Sequence, residues 1–514
     1  MSQDISANNK RIVKNTLLLY LRMLCIMAVQ LYTSRIVLNA LGIVDYGIYN
    51  AVGGIVTMFA FLNGALVTST QRYITFELGK GDFARLKQVF TTSVQVHSII
   101  SLLVVLLGET IGLWFLCEKM IIPEDRMTAA LWVFHLSIFT MVVQIMSVPY
   151  NSVIVAHEKM SAFAVISIIE VILKLIIVYL LLICSIDKLI FYSILIAIVQ
   201  LLIRYVYSIY CNKHFAESKL IYYFNKSLIK EIGTFAGWNL WGNLAATLFS
   251  TGLNLLLNVF FGPIVNAARA IAVQVETAIA QFSTNFLMAV NPQITKLYAQ
   301  GSIKEMHILL VRSSKVTFYL LFALSLPVMI EVDVILQLWL VNVPEYTSIF
   351  LILMLCIAII DSVARPLMTA ATATGNVKRY QSVIGGILLS IVPISYCALL
   401  IGGNPITVFC VHLIICLIAF GARLYIVHRM IGLSIVSYCN DVLLRCGWVS
   451  AISITVALMA KTFIGGNVFY SLFVCFISFF CVVMTSFLWG LSKEERVFVI
   501  NKIKNNLRVN DNVH

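Results

Sequence analysis

The chain has 514 residues, 61% hydrophobic and only 11% charged, with a mean hydropathy of +0.96. That balance excludes a soluble globular protein, and the apolar runs are too long and uniform for barrel strands, which leaves a polytopic all-α membrane protein. The net charge of +13 is what basic cytoplasmic loops produce and carries no expectation of nucleic acid, while twelve scattered cysteines without a C-x-x-C pattern read as small apolar residues rather than disulfides or a metal site.

Hydropathy in chain order predicts about fourteen transmembrane helices, at 15–41, 47–70, 91–117, 128–148, 161–184, 189–211, 232–260, 264–290, 314–339, 348–372, 380–401, 405–428, 442–463 and 467–490. The N-terminal MSQDISANNKRIVK is polar and basic and meets a full span with no small-residue cleavage site, so no cleavable signal peptide is expected. With that terminus inside, 27 of the 36 Lys and Arg fall on inner tails, loops and span ends. Four fall outside (Lys119, Arg126, Lys188, Lys461) and five within spans (Arg22, Arg35, Lys174, Arg269, Arg365). The asymmetry predicts both termini in the cytoplasm.

The first span carries Arg22 and Arg35. An arginine at mid-membrane costs at least ~3 kcal/mol on insertion scales, so such a residue usually faces protein or a wet cavity. Helical steps of about 100° put Asn15, Arg22 and Thr33 on one stripe, with Arg35 roughly 140° from Arg22. Two readings stand for the arginines: a cationic cavity for an anionic ligand, or snorkelling to headgroups.

RYITFELGKGDFARLKQVF, between the second and third spans, resembles PQITKLYAQGSIKEMHILL, between the eighth and ninth, with Gly81 matching Gly301 at an offset of 301 − 81 = 220. PYNSVIVAHEKMSAF after the fourth span resembles PLMTAATATGNVKRY after the tenth, with Pro149 matching Pro366 at 366 − 149 = 217. Two matches at nearly one offset predict two parallel six-helix repeats, an architecture of alternating-access transporters. The expected organisation is an N-terminal six-helix lobe over 1–225, a C-terminal six-helix lobe over 226–430, an extra two-helix pair at 431–490 and a cytoplasmic tail at 491–514.

The seventh span aligns Asn239, Asn243, Thr247, Ser250, Asn254 and Asn258 within about a 100° arc, beginning beside Trp238 and Trp241. Uncharged amides and hydroxyls next to tryptophan suit a sugar, although interhelical hydrogen bonding produces similar stripes. The eighth span adds Arg269 and Glu276, on one face but about 10.5 Å apart along the axis, too far for a direct pair. Glu170/Lys174 and Asp361/Arg365 are acid-then-base pairs at i, i+4 and are read as structural ion pairs or as groups for proton or sodium coupling. Glu109, His97, His135 and His412 are lone groups of the kind usually satisfied by neighbours. Pro149, Pro292, Pro327, Pro366 and Pro393 are expected to bend helices. No phosphate loop, metal cluster or large outer loop bearing carboxylates is evident, so no enzyme chemistry, catalytic residue, metal or cofactor is expected.

The segment SRIVLNALGIVDYGIYNAVGGIVTMFAFLNGAL with LGKGDFARLKQVF resembles the start of bacterial polysaccharide-repeat-unit flippases, the polysaccharide transporter branch of the MOP superfamily. FFGPIVNAARAIAVQVETAIAQFSTNFLMAVNPQITKLYAQG is similar to their seventh-to-ninth-span region. The resemblance implies N and C lobes of MATE/MOP type and transfer of undecaprenyl-diphosphate-linked oligosaccharide across the bacterial inner membrane for surface polysaccharides such as O-antigen. Its partners would be that substrate, membrane lipids and other polysaccharide-assembly membrane proteins. It also implies cavity arginines on the first and eighth spans, where Arg22, Arg35 and Arg269 stand, and a lipid-tail groove at the last two spans. A multidrug/cation antiporter of the same superfamily, or a membrane polysaccharide polymerase or ligase, are the alternatives.

Overall fold

The computed structural model is all-α among its described residues, which are 2–497 apart from 58–59, 121, 184–185, 341–342, 465–467 and 494. The helices are α1 (Ser2–Thr57), α2 (Ala60–Lys80), α3 (Phe83–Leu107), α4 (Leu113–Lys119), α5 (Met127–Ala156), α6 (Met160–Ile183), α7 (Lys188–His214) and α8 (Lys226–Ala299). They continue as α9 (Ile303–Ile330), α10 (Val332–Trp339), α11 (Thr347–Ala373), α12 (Lys378–Leu389), α13 (Ile391–Leu400), α14 (Pro405–Ile431), α15 (Ile435–Tyr438), α16 (Arg445–Ile464) and α17 (Val468–Thr485). Among the described residues, twelve stretches are long and apolar enough to cross a membrane. They match the expected spans except the second, which includes 58–59, and the eighth, the part of α8 after Gly262.

Helix starts follow local chemistry. Asp82, Asp187, Asn225 and Asn404 each accept hydrogen bonds from backbone N–H groups of the first turn of α3, α7, α8 and α14, satisfying donors that would otherwise be orphaned in or near lipid. Pro405 follows its cap directly, where a missing N–H costs nothing, and Gly432 ends α14 in the left-handed conformation.

The backbone carries the internal repeat. Gly42 breaks α1 at φ +80° and Gly262 breaks α8 at φ +78°, an offset of 262 − 42 = 220. Gly81 and Gly301, at the same offset, both take positive φ. Pro149 and Pro366 lie inside α5 and α11. Glu158 (φ +57°) and Gly375 (φ +82°) share their offset, 375 − 158 = 217. Positive φ is strained for a side-chain-bearing residue, so its recurrence at fixed spacing marks duplicated turns, and Glu158 is the copy that tolerates the strain.

The chain divides into two compact units. The first comprises Met1–Thr247, Met288–Ser302 and Thr372–Ser382; the second comprises Leu248–Leu287, Ile303–Ala371 and Val383–His514. The first has one apolar cluster around Phe90, Tyr150, Val153, Ile203 and Phe235, and another around Leu116, Val133, Phe134, Ile145 and Leu181. The second packs Leu257, Phe350, Leu355, Val408 and Phe409 together, with the Phe350 and Phe409 rings stacked 4.1 Å apart. Outward-facing residues such as Leu102, Leu202, Leu417 and Phe473 are exposed, as lipid contact requires. Because lipid tails are as apolar as leucine, close packing and buried polar ties carry more of the stability than apolar burial does. One such tie lies past the last span. The buried Lys315 ammonium donates to both oxygens of Glu495 at 3.0 and 2.7 Å, and Arg312 stands 3.3 Å from the same carboxylate.

Candidate functional site

Arg269 lies on α8 beyond the Gly262 break and is only 5% exposed. Its Nη1 donates to the Asn254 side-chain oxygen, and its Nη2 donates to the Ser250 carbonyl at 3.2 Å and hydroxyl at 3.4 Å. Its Nε is buried without a hydrogen-bond partner, and among the described residues no carboxylate forms an ion pair with it. His412 lies within electrostatic reach, its ring edge-on to Phe249 and its buried Nδ1 also unpartnered. A buried arginine normally has a carboxylate, because neutral oxygens do not offset the desolvation of its charge. The Arg269 site therefore has the electrostatics of an anion receptor, with amide and hydroxyl groups beside the cation.

The seventh-span stripe divides between the two units. In the first, Asn239 Nδ2 donates to the Phe235 carbonyl, Asn243 Nδ2 to the Asn239 carbonyl and Thr247 Oγ1 to the Asn243 carbonyl. These side chains satisfy their donors on their own helix, and Gln381 Nε2 donates 2.9 Å to the buried Asn239 oxygen. In the second unit, Ser250 and Asn254 serve Arg269, and Asn258 is exposed.

Arg22 is half-buried, with its guanidinium 4.6 Å above the Phe163 ring and its Nε unpartnered. Glu170 lies within electrostatic reach of it. The side chain of Arg35 lies outside the described residues. Lys174 Nζ donates to Glu170 at 2.6 Å, and Gln200 donates to the same oxygen at 2.9 Å. Asp361 departs from the sequence expectation: it bonds Arg423 of α14 at 3.1 Å, and Arg365 donates to Thr284 at 2.9 Å. The i, i+4 spacing allows the Asp361–Arg365 contact, but a guanidinium from the neighbouring helix reaches the carboxylate instead. Glu276 accepts from the Thr277 hydroxyl at 3.3 Å and lies within electrostatic reach of Arg365.

Three charged residues escaped sequence reasoning. Arg423 and Arg72 sit near span ends that the charge pattern of the sequence assigns to the inside, and look like ordinary positive-inside residues. Glu158 sits in a short loop, yet its wholly buried carboxylate meets Arg11, Lys296 and Gln293 at 2.6 Å each. The only signal in the sequence was its alignment, through the repeat, with a glycine.

No family model matches the sequence, and no curated protein matches it. Solved structures do. An outward-facing multidrug resistance MATE family transporter of the MOP superfamily superposes with a TM-score of 0.70 at 13% identity, over 83% of this chain and 96% of that one. The MATE transporter ClbM in complex with Rb+ gives 0.66 at 13% identity, over 83% and 96%. A MOP superfamily transporter from Pyrococcus furiosus, whose binding pocket has reverse polarity suggesting a different function, gives 0.66 at 12% identity, over 82% and 96% of the respective chains. The chain therefore has the MATE-type fold of MOP transporters.

Proposed function

We propose that this protein is a flippase. It moves undecaprenyl-diphosphate-linked oligosaccharide from the inner to the outer leaflet of the bacterial inner membrane by alternating access, supplying surface polysaccharide synthesis. The observation that carries the reading is Arg269, buried within the spans and, among the described residues, hydrogen-bonded only to Asn254 and Ser250 with no carboxylate paired to it. An anionic diphosphate supplies the missing counter-charge, and the neighbouring amide and hydroxyl suit the adjoining sugar. Such a headgroup cannot cross hydrocarbon unless its polar groups are satisfied on the way. The likeness of the first two spans to repeat-unit flippases points the same way.

A multidrug/cation antiporter is the second reading. Its support is Glu276, an intramembrane acid bonded to a hydroxyl rather than directly to a base, together with the multidrug MATE neighbours. Inverted vesicles carrying radiolabelled undecaprenyl-diphosphate oligosaccharide separate the two. Glycan reaching the lumen in wild type, and falling at least tenfold in well-folded Arg269→Ala, supports the flippase. Arg22→Ala and Arg35→Ala test the other two arginines. Efflux of organic cations with no glycan transfer moves the protein to the antiporter class.

A further inference from the structure

The first unit holds a cavity of about 660 Å³, within the size range of small-ligand sites. Arg72, Lys230, Glu231, Lys378, Trp238 and Gly375 line it. These residues come from the inner end of α2, the first turns of α8 and the turn before α12, all on the side that the charge distribution assigns to the cytoplasm.

Arg72 is built in. Its guanidinium lies 4.6 Å from the Tyr73 ring, 4.5 Å from Phe76 and 5.6 Å from Phe235. Nη2 and Nε donate to the Ala373 carbonyl at 3.1 and 3.4 Å. Aromatic rings over a guanidinium leave its in-plane N–H groups as the working edge, the geometry that suits phosphate. Lys378 Nζ lies 5.4 Å over the Trp238 ring, and Lys230 is exposed on the cavity wall. The acids in reach are Glu77 and Glu231. Arg85 takes both, at 3.2 and 3.9 Å, and Tyr73 bonds Glu231 as well. The cavity cations therefore exceed the available carboxylate charge.

The other half of the repeat shows how that excess is met. At Glu158, a side-chain carboxylate leaves the positive-φ turn and pairs with both Lys296 and Arg11. At the matching turn the residue is Gly375, and a Cβ built on it would lie 2.5 Å from Arg72 Nη2. One copy of the turn brings its own anion to the cations facing it; the other has none to bring.

We propose that the Arg72 cavity binds a phosphate-bearing ligand from the cytoplasmic side, the phosphate taking the place that the Glu158 carboxylate fills in the other half. This site is separate from Arg269, so either assignment can fail alone. The same chemistry is offered by a soluble pyrophosphate or sugar nucleotide and by the diphosphate of a membrane lipid. The test uses the full-length protein in phosphatidylcholine nanodiscs. One arm titrates inorganic pyrophosphate and UDP-N-acetylglucosamine by calorimetry, and the other incorporates undecaprenyl diphosphate, with Trp238 fluorescence as the second readout.

Saturable binding in either arm supports the proposal and identifies the source, provided it weakens at least tenfold in Lys230→Gln/Lys378→Gln and in Arg72→Gln. The lysines are exposed, so the double variant stays informative where Arg72→Gln fails to fold. A Trp238→Phe protein should lose the fluorescence change, which assigns that signal to the cavity. No saturable binding in either arm, or equal binding by wild type and the lysine double variant, overturns the proposal.

Discussion

The Glu158 carboxylate holds the Lys296 ammonium at 2.6 Å with none of its own side chain exposed, although 138 residues separate the two. Arg11 and Gln293 complete the cluster, and the Asn15 amide donates to the Glu158 carbonyl at 3.1 Å. Removing one partner of a buried ion pair leaves the other uncompensated. Glu158→Gln is therefore expected to destabilise the purified protein by about 3–5 kcal/mol. Thermal unfolding in detergent checks this, with exposed Glu118→Gln as the control that should change little. Equal midpoints for the two variants would contradict the assignment.

On the opposite side, Arg126 joins Asp45 and Asp187, with contacts of 2.8 and 2.6 Å. Burial alone raises the Asp187 carboxyl, but Arg126 and the Ile190 and Leu189 N–H groups outweigh it and hold the pKa below its ordinary 3.8. A depressed carboxyl contributes stability that is present above its unfolded pKa and lost as pH falls through the folded value, so the loss begins below about pH 4. Asp187→Ala also removes the α7 cap and is expected to cost about 1–2 kcal/mol at pH 7. Asp187→Asn keeps the cap but loses the carboxylate's pairing with Arg126 at pH 7, and with it the acid-side pH dependence. Unfolding midpoints from pH 7 down to pH 3 separate the variants.

Asp361 bonds Arg423, whose side chain is 13% exposed. Asp361→Asn leaves that guanidinium short of its carboxylate and is expected to lower stability by roughly 1–3 kcal/mol. Arg365→Gln breaks the 2.9 Å bond to Thr284 and removes a longer-range attraction to Glu276, and should cost less. The reverse order of melting points would restore the intrahelical Asp361–Arg365 pair expected from spacing.

Gly375 stands at φ +82° under Arg72. Gly375→Ala combines left-handed strain with a clash against the guanidinium, an expected loss of about 1–3 kcal/mol. Gly233 takes an ordinary φ with open space where a Cβ would go, so Gly233→Ala should be neutral or slightly stabilising. Thermal unfolding of the two variants makes the comparison.

Much of the fold was legible because lipid imposes a coarse rule: long apolar runs separated by short polar connections. The repeat was legible at Gly81/Gly301 and Pro149/Pro366 because turn chemistry persists where apolar side chains drift. The site was less so. A helical wheel shows which way Asn239, Asn243 and Thr247 point, but not that each bonds the carbonyl one turn back, as polar side chains in helices often do. Spacing also shows which partner Asp361 has on its own helix, but not that Arg423 reaches it from α14. Arg269 could be flagged as costly, whereas its lack of a carboxylate needed coordinates.

The clasp between Lys315 and Glu495 has a practical corollary for cloning. Lys315 is 3% exposed, and its counter-ion comes from beyond the last apolar span, where a hydropathy plot would mark the sequence as dispensable. A topology reporter or affinity handle grafted immediately after Gly490 would strand that ammonium and read out a damaged protein. Placed after Arg496, the same graft leaves the clasp intact.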